Sequence, residues 1–330
     1  MRYSNLTLVH LEGGVEITYP TGKNREVLFF YDDADRFLEN TTWPVRIDAD
    51  FKKILRGAEE TVYIEEDCFL YYAFSLQVSY AHYLTQCLPK LHYYDLEKKL
   101  VIPRSTYNIL SKTIFELLGI PEERILILED NVKYVFKNID TIPHIGSQWD
   151  GVGGEINVAG IEVCKKLRNA LNIVPSKSAT RKVYLKRNQN ISLDHNNSQI
   201  GRYRRIGNED QLIELLVQNG FEIIEMGDMT IQEKVEALKD IDILITQLGA
   251  NICNLIFSNT TNNILLLSND KPIGQHYYFG WLDKLNLIPH KDLFIYPSSG
   301  YNVDPENETN NPFEVNLEDI NKYLKISKNI

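Results

Sequence analysis

From residue 181 to residue 267 the sequence alternates short apolar runs with amphipathic runs of helical period, and few folds accommodate that order. "RKVYLKR" reads as a strand, and "EDQLIELLVQNG" as a helix with Asn208 as its N-cap and Gly220 just past its end. "FEIIEM" is a strand, "TIQEKVEALKD" a helix opened by a capping box from Thr230 to Glu233, and "IDILIT" and "NNILLLS" are further strands. Strand, helix, strand, helix, strand predicts a doubly wound parallel sheet.

The first half repeats the pattern less cleanly. "EVLFFYDD", "TVYIEED" and "CFLYYAFS" have strand composition, and "YAHYLTQCLPKLHYYDL" reads as a helix and turn. "KLVIP" is a strand, "STYNILSKTIFELLG" a helix capped by Ser105 or Thr106 and stopped by Gly119, and "RILILED" another strand. This reads as a βαβ half with a parallel sheet. Residues 141–162 hold five glycines and one proline and read as a linker, followed by the helix "IEVCKKLRNALNI". The expectation is an α/β chain of two Rossmann-like domains, 1–160 and 161–330, facing across a cleft.

Composition narrows the function. The 330 residues, 43% hydrophobic and 24% charged, suffice for two packed cores. A net charge of −10 argues against a general nucleic-acid or anionic-membrane binder, which needs a broad basic surface. No apolar leader opens the chain and no run of about 18 apolar residues occurs, so a cytoplasmic protein without a membrane span is expected. Cys68, Cys87, Cys164 and Cys253 are scattered, with no paired spacing, and read as reduced structural thiols.

Chemistry is concentrated where predicted strands end. "ITQLGANICNLIFSN" carries a buried strand into Gly249, Ala250 and Asn251, at the carboxyl edge where open α/β sheets bind ligands. Gly249 admits close approach of a ligand or of the chain itself, and a helix starting near Asn251 or Ile252 would aim free N–H groups at an anion. The same residues also suit a plain strand-to-helix turn with Asn as cap. "RKVYLKRNQNISLDHNNSQIGRYRR" holds seven Lys/Arg against one Asp in an otherwise acidic chain. Arg187 ends a strand and Arg205 precedes a helix. Guanidinium forks match phosphate oxygens, although a solvated basic loop is the competing reading. Asn208 and Glu209 suit a cap and a dipole-complementing acid. His82 lies on the predicted helix among aromatics, either as a packed core histidine or as a general base.

The acidic pairs Asp33/Asp35, Asp48/Asp50 and Asp240/Asp242 mimic a metal-binding DxD but sit too early or at the opposite strand end, so no metal is expected. GxxxxGK[ST], GxGxxG, HExxH and GxSxG are all absent, which removes the commonest kinase, dehydrogenase, zinc-protease and hydrolase readings.

These pieces stand in a familiar order. The segment from about residue 183 to 267 resembles glycosyltransferase family 61, whose pattern runs from an Arg after a strand through R-x-x-N-E, a helix, "GF" with a strand and an E-Q helix to a strand entering "G-x-HGAGLTNLLF". "HYLTQCLPKL", residues 82–91, resembles the family's upstream "H-x-L-x-E-x-LPRL". Leu248 stands where the family has His, Asn251 where it has Gly, and Glu233-Lys234 where it has E-Q. A nucleotide-gripping role for that His would be absent here or pass to Gln247.

The resemblance implies a GT-B fold and inverting transfer of a hexose or pentose from a nucleotide sugar, UDP-linked in many members, to a glycan or protein acceptor. A metal-independent chemical step is implied, with no cofactor beyond the donor. On this reading Arg187 and Arg205 hold the diphosphate. Gln247, Gly249, Ala250, Asn251 and Asn254 line the nucleotide site, with Asn208 and Glu209 nearby, and His82 is the base with Asp150 in reserve. A pyruvyl-type transferase on similar halves and a relative that binds nucleotide or glycan without turnover are the rivals; Leu248 favours the second.

Overall fold

A computed structural model describes residues 3–4, 9–18, 29–31, 60–71, 80, 83–104, 107–129, 132–142, 156–176, 178–187, 206–247, 250–269, 292–298 and 313–327. The chain divides into two compact units, Met1–Leu171 and Asn172–Ile330. Among the described residues no helix is long and apolar enough to cross a membrane.

The first unit contains β1 (Tyr3–Ser4), β2 (Val9–Thr18), β3 (Phe29–Tyr31), β4 (Glu60–Leu70), β5 (Lys99–Pro103), α1 (Ile109–Leu117), β6 (Ile125–Leu128), β7 (Val132–Thr141), β8 (Ile156–Asn157) and α2 (Val158–Ala170). β1 and β8 form a short parallel pair, and the other strands form one sheet in the order β3-β2-β7-β4-β5-β6. β7, β4, β5 and β6 run parallel, whereas β2 pairs antiparallel with both β3 and β7. The expected all-parallel half is thus a mixed sheet. Its antiparallel edge comes from β2, and the β2–β7 register slips between Glu12 and Val15, at Gly13-Gly14, where glycine accommodates a bulge. The two strands expected over "TVYIEED" and "CFLYYAFS" are one in the described part, with a register shift between Ile64 and Asp67.

Cys68, Leu70, Val101, Leu128, Tyr134, Phe136 and Ile139 make one core cluster. A second group of aromatics meets at the carboxyl end of β4, where Tyr71 lies edge-on to Phe115 at 5.5 Å and to Tyr83 at 6.2 Å. The helix expected around residue 85 is instead a π-helix, Tyr83–Cys87, followed by a 3-10 helix, Leu88–Tyr93. Pro89 has no N–H to donate to an α-helical ladder and sits at the start of the 3-10 turn. α2 packs on this segment. α1 is capped by Asn108, whose side chain accepts from the Ser111 N–H in a reciprocal box, and not by the earlier Ser105 or Thr106. Gly119, at φ 72°, ends it as expected.

The second unit contains β9 (Arg181–Lys186), α3 (Glu209–Gln218), β10 (Glu222–Glu225), α4 (Ile231–Ala237), β11 (Ile241–Gln247), a 3-10 helix (Ala250–Phe257), β12 (Thr261–Asn269), β13 (Asp292–Ser298) and α5 (Leu317–Ser327). Its sheet is parallel throughout, in the order β10-β9-β11-β12-β13. In chain order that is second, first, third, fourth, fifth, the doubly wound arrangement with its switch point between β9 and β11. Tyr184, Ile243, Ile245, Leu265 and Leu267 form a core with Leu212 and Leu216 of α3 and Ile320 and Leu324 of α5. Each fully buried apolar side chain there contributes about 1.5–3 kcal/mol of transfer free energy. By strand alternation Val183, Leu185, Leu244 and Leu266 are buried against the other face. α4 packs there against the 3-10 helix, and the Ser258 hydroxyl donates to the Leu238 carbonyl at 2.9 Å.

Candidate functional site

The switch point of the second unit brings two strand ends level. Leu185 of β9 is registered with Thr246 of β11, and the Thr246 hydroxyl donates to the Leu185 carbonyl at 3.1 Å. One residue further on, the Asn251 amide donates to the Lys186 carbonyl at 3.3 Å. The first turn of the 3-10 helix is thereby stitched to the end of β9, beside Arg187. Asn254, 2% exposed, donates its own amide to the Asn251 carbonyl at 3.1 Å and holds that turn from behind. Gln247, the last residue of β11, is buried. The turn starts at Ala250, close to the expected position, as a 3-10 helix of eight residues. Its leading N–H groups lack intrahelical acceptors, and its dipole favours negative charge.

The α3 side of the same edge is built differently. The Tyr184 hydroxyl donates to Glu209 Oε1 at 2.7 Å, and the Lys186 ammonium pairs with Glu225 at 3.0 Å. Glu209 opens α3 and is 7% exposed. Burial raises its carboxyl above the usual range, while the Tyr184 hydrogen bond and the Lys186 charge oppose that rise. Burial, followed by the Glu209 charge, holds the Tyr184 phenol well above its ordinary range. The Glu225 carboxylate raises the Lys186 amine and keeps it charged.

Asn208 stands at the N-cap position of α3, but its side chain makes no capping bond. Its amide donates to the Val315 carbonyl at 2.8 Å and accepts from the Val315 N–H at 2.9 Å. With the Ile206–Phe313 bridge, this pair draws the segment leading into α5 against the start of α3. A distant backbone therefore takes the asparagine that local sequence assigns to a cap.

Of the residues singled out from sequence, Arg187, Gln247, Ala250, Asn251, Asn254 and Glu209 gather at the carboxyl edge around the switch point. Arg205, Gly249, His82 and Asp150 lie outside the described residues. Tyr184, Lys186 and Thr246 were not singled out, although polar side chains in strands otherwise built for burial were the available signal. Asp240 and Asp242 sit at the amino edge, as expected, where Asp240 accepts from the Asn259 amide at 3.0 Å. Among the described residues no group of three or more His, Cys, Asp or Glu is arranged to hold a metal ion.

The family model described as Glycosyltransferase 61 matches residues 80–265, more than half of the chain. The match takes in the segment around His82, the basic stretch and all of the switch-point edge. No curated protein matches the chain significantly. With strand ends, turn and upstream element all inside the matched span, the chain belongs to glycosyltransferase family 61.

Proposed function

We propose that this protein is an inverting glycosyltransferase of GT-B architecture, moving a hexose or pentose from a UDP-linked donor to a hydroxyl of a glycan or protein acceptor. The observation that carries the reading is the stitched edge at the β9–β11 switch point, where Arg187 follows β9 and Asn251 binds the Lys186 carbonyl. Open α/β sheets hold nucleotides at such a point. In the reaction the bond from the anomeric carbon to the diphosphate breaks while the acceptor oxygen attacks from the opposite face, and negative charge collects on the departing diphosphate. Arg187, Arg205 and the N–H groups at the start of the 3-10 helix stabilise that charge, so no metal is required. His82, with Asp150 as alternative, removes the acceptor proton. Residues 1–160 serve the acceptor and 161–330 the donor.

A donor panel tests the proposal. Release of nucleoside diphosphate from nucleotide sugars is measured alongside reaction with phosphoenolpyruvate, and for Arg187→Ala beside wild type. The variant is expected to lose about 100-fold or more in turnover while remaining folded, as its melting curve will show. Arg181→Ala supplies the control. Arg181 sits at the other end of β9, forked onto Glu222 at 2.6 and 2.8 Å and onto the carbonyls of Ala237 and Lys239, so its loss lowers stability and leaves turnover intact. Equal turnover in Arg187→Ala and wild type removes Arg187 from the site. Reaction with phosphoenolpyruvate alone replaces the proposal by the pyruvyl-transferase reading. Leu248, in the family's His position, favours a second reading, a non-catalytic relative; stabilisation by nucleotide without any release would establish it.

A further inference from the structure

The α3 side of the switch-point edge has no place in the charge-stabilising scheme, because Glu209, Asp210 and Glu225 would repel a diphosphate. Along β9 side chains alternate between faces, so Tyr184 and Lys186 lie on the α3 face, opposite to Leu185. The nucleotide edge is therefore polarised across one strand, with anion-binding groups at the 3-10 turn and acceptor groups at the start of α3.

A buried carboxylate beside a nucleotide pocket has a chemistry suited to neutral hydroxyl donors. It accepts hydrogen bonds from adjacent hydroxyls, and those bonds offset the cost of its burial. Resting on the donor reading above, we propose that Tyr184 is a positioning residue, holding Glu209 to accept hydrogen bonds from the ribose hydroxyls of the donor nucleotide. Tyr184 acts through Glu209. Its 2.7 Å hydrogen bond orients the carboxylate, and the aromatic ring, 0% exposed, is locked in the core against α3 and α5.

The charged or titratable groups acting on Glu209 are Tyr184 and Lys186 from β9, Asp210 from α3 itself and Glu225 from β10. Tyr184 and Lys186 favour the ionised form; Asp210, Glu225 and burial oppose it. Ribose recognition needs the carboxylate as acceptor, so it weakens as the pH falls through the raised value. Loss of the Tyr184 hydroxyl removes one favouring contribution and moves that weakening to higher pH.

The test measures binding of ribonucleoside diphosphates and their 2′-deoxy counterparts by calorimetry from about pH 5 to pH 8, for wild type, Tyr184→Phe and Glu209→Gln. Wild type is expected to prefer the ribose series by about tenfold or more at the upper end, a difference of one to two hydrogen bonds. Glu209→Gln, which keeps the side-chain volume, should reduce the preference to about twofold at all pH values. Tyr184→Phe should lose its preference at higher pH than wild type does. Melting curves show which variants are folded, and Glu209→Gln carries the test if Tyr184→Phe is not. The proposal is overturned if wild type binds both series equally, or if both variants keep the wild-type ratio and pH profile, in which case the pair is only structural. Either result leaves the donor reading standing. Failure of wild type to bind any nucleoside diphosphate sinks that reading and this inference together.

Discussion

Tyr184 in the second unit gives its hydroxyl proton to a buried carboxylate, and the neighbouring Lys186 and Asn251 are tied to Glu225 and to strand backbone. In the first unit Tyr71 and Tyr83, equally buried, have hydroxyls that act on one another without a well-formed hydrogen bond to any other described residue. Lys90 lies on the adjacent 3-10 turn at 2% exposure, its amine pushed down to about 8 by burial. Both groups sit near the carboxyl ends of parallel strands. In one unit the polar atoms are matched to one another and held ready. In the other the two tyrosine hydroxyls are packed among aromatic rings, where burial costs stability. Burial alone therefore does not fix how a polar group is oriented; a hydrogen-bond partner does.

Lys90→Met should break this comparison most visibly in stability. Between about pH 8 and the ordinary lysine value of 10.5 the unfolded chain binds the extra proton, so on this account stability rises with pH across that window. Cys68, Cys87 and Cys164, pushed up to about 12 by burial, act in the opposite sense above the ordinary thiol value of 9.0. Wild type and variant must therefore be compared at each pH. Urea titrations should find Lys90→Met more stable by up to about 3 kcal/mol at neutral pH, with the gap closing as pH rises. A gap independent of pH would mean that Lys90 is accommodated as a charge.

The tyrosines sharpen the contrast. Tyr184→Phe removes the hydroxyl that donates to the buried Glu209 and should cost about 1–3 kcal/mol, whereas Tyr71→Phe and Tyr83→Phe should change stability by no more than about 0.5 kcal/mol. Equal losses at all three positions in denaturant melts would erase the distinction between the units. The smallest effect is one in which the units should agree. Asn108→Ala in α1 and Thr230→Ala in α4 each remove a reciprocal cap and should each cost about 1 kcal/mol.

The parts legible in the sequence were those with local causes. The Thr230–Glu233 capping box and the stops at Gly119 and Gly220, with φ of 72° and 80°, rest on contacts within a few residues, and strands β5, β6, β9, β10, β11 and β12 show as short apolar runs bounded by turn residues. Strand β7, with Val132, Tyr134 and Phe136 alternating, has a period of two, but it lies between a stronger apolar strand and a glycine-rich stretch that mask it. Among the candidate residues, Arg187 and the 250–254 turn could be placed from sequence because a parallel strand must end at the ligand edge. Glu209 was found through the family's pattern, while its partner Tyr184 was missed, because a tyrosine in a strand looks like any other core aromatic.

The sequence by itself determined the alternation of elements in the second unit, the Thr230 capping box and the glycine stops, the family and the strand end that carries Arg187, since each follows from periodicity, backbone conformation or residue order along the chain. Only the tertiary structure decided that β2 joins the first sheet antiparallel, that the second sheet runs β10-β9-β11-β12-β13, that Asn208 binds Val315 and that Tyr184 holds Glu209. Those pairings join groups 25 to 107 residues apart in the two hydrogen bonds. Their energies depend on which surfaces meet once the chain has closed, which no local pattern encodes.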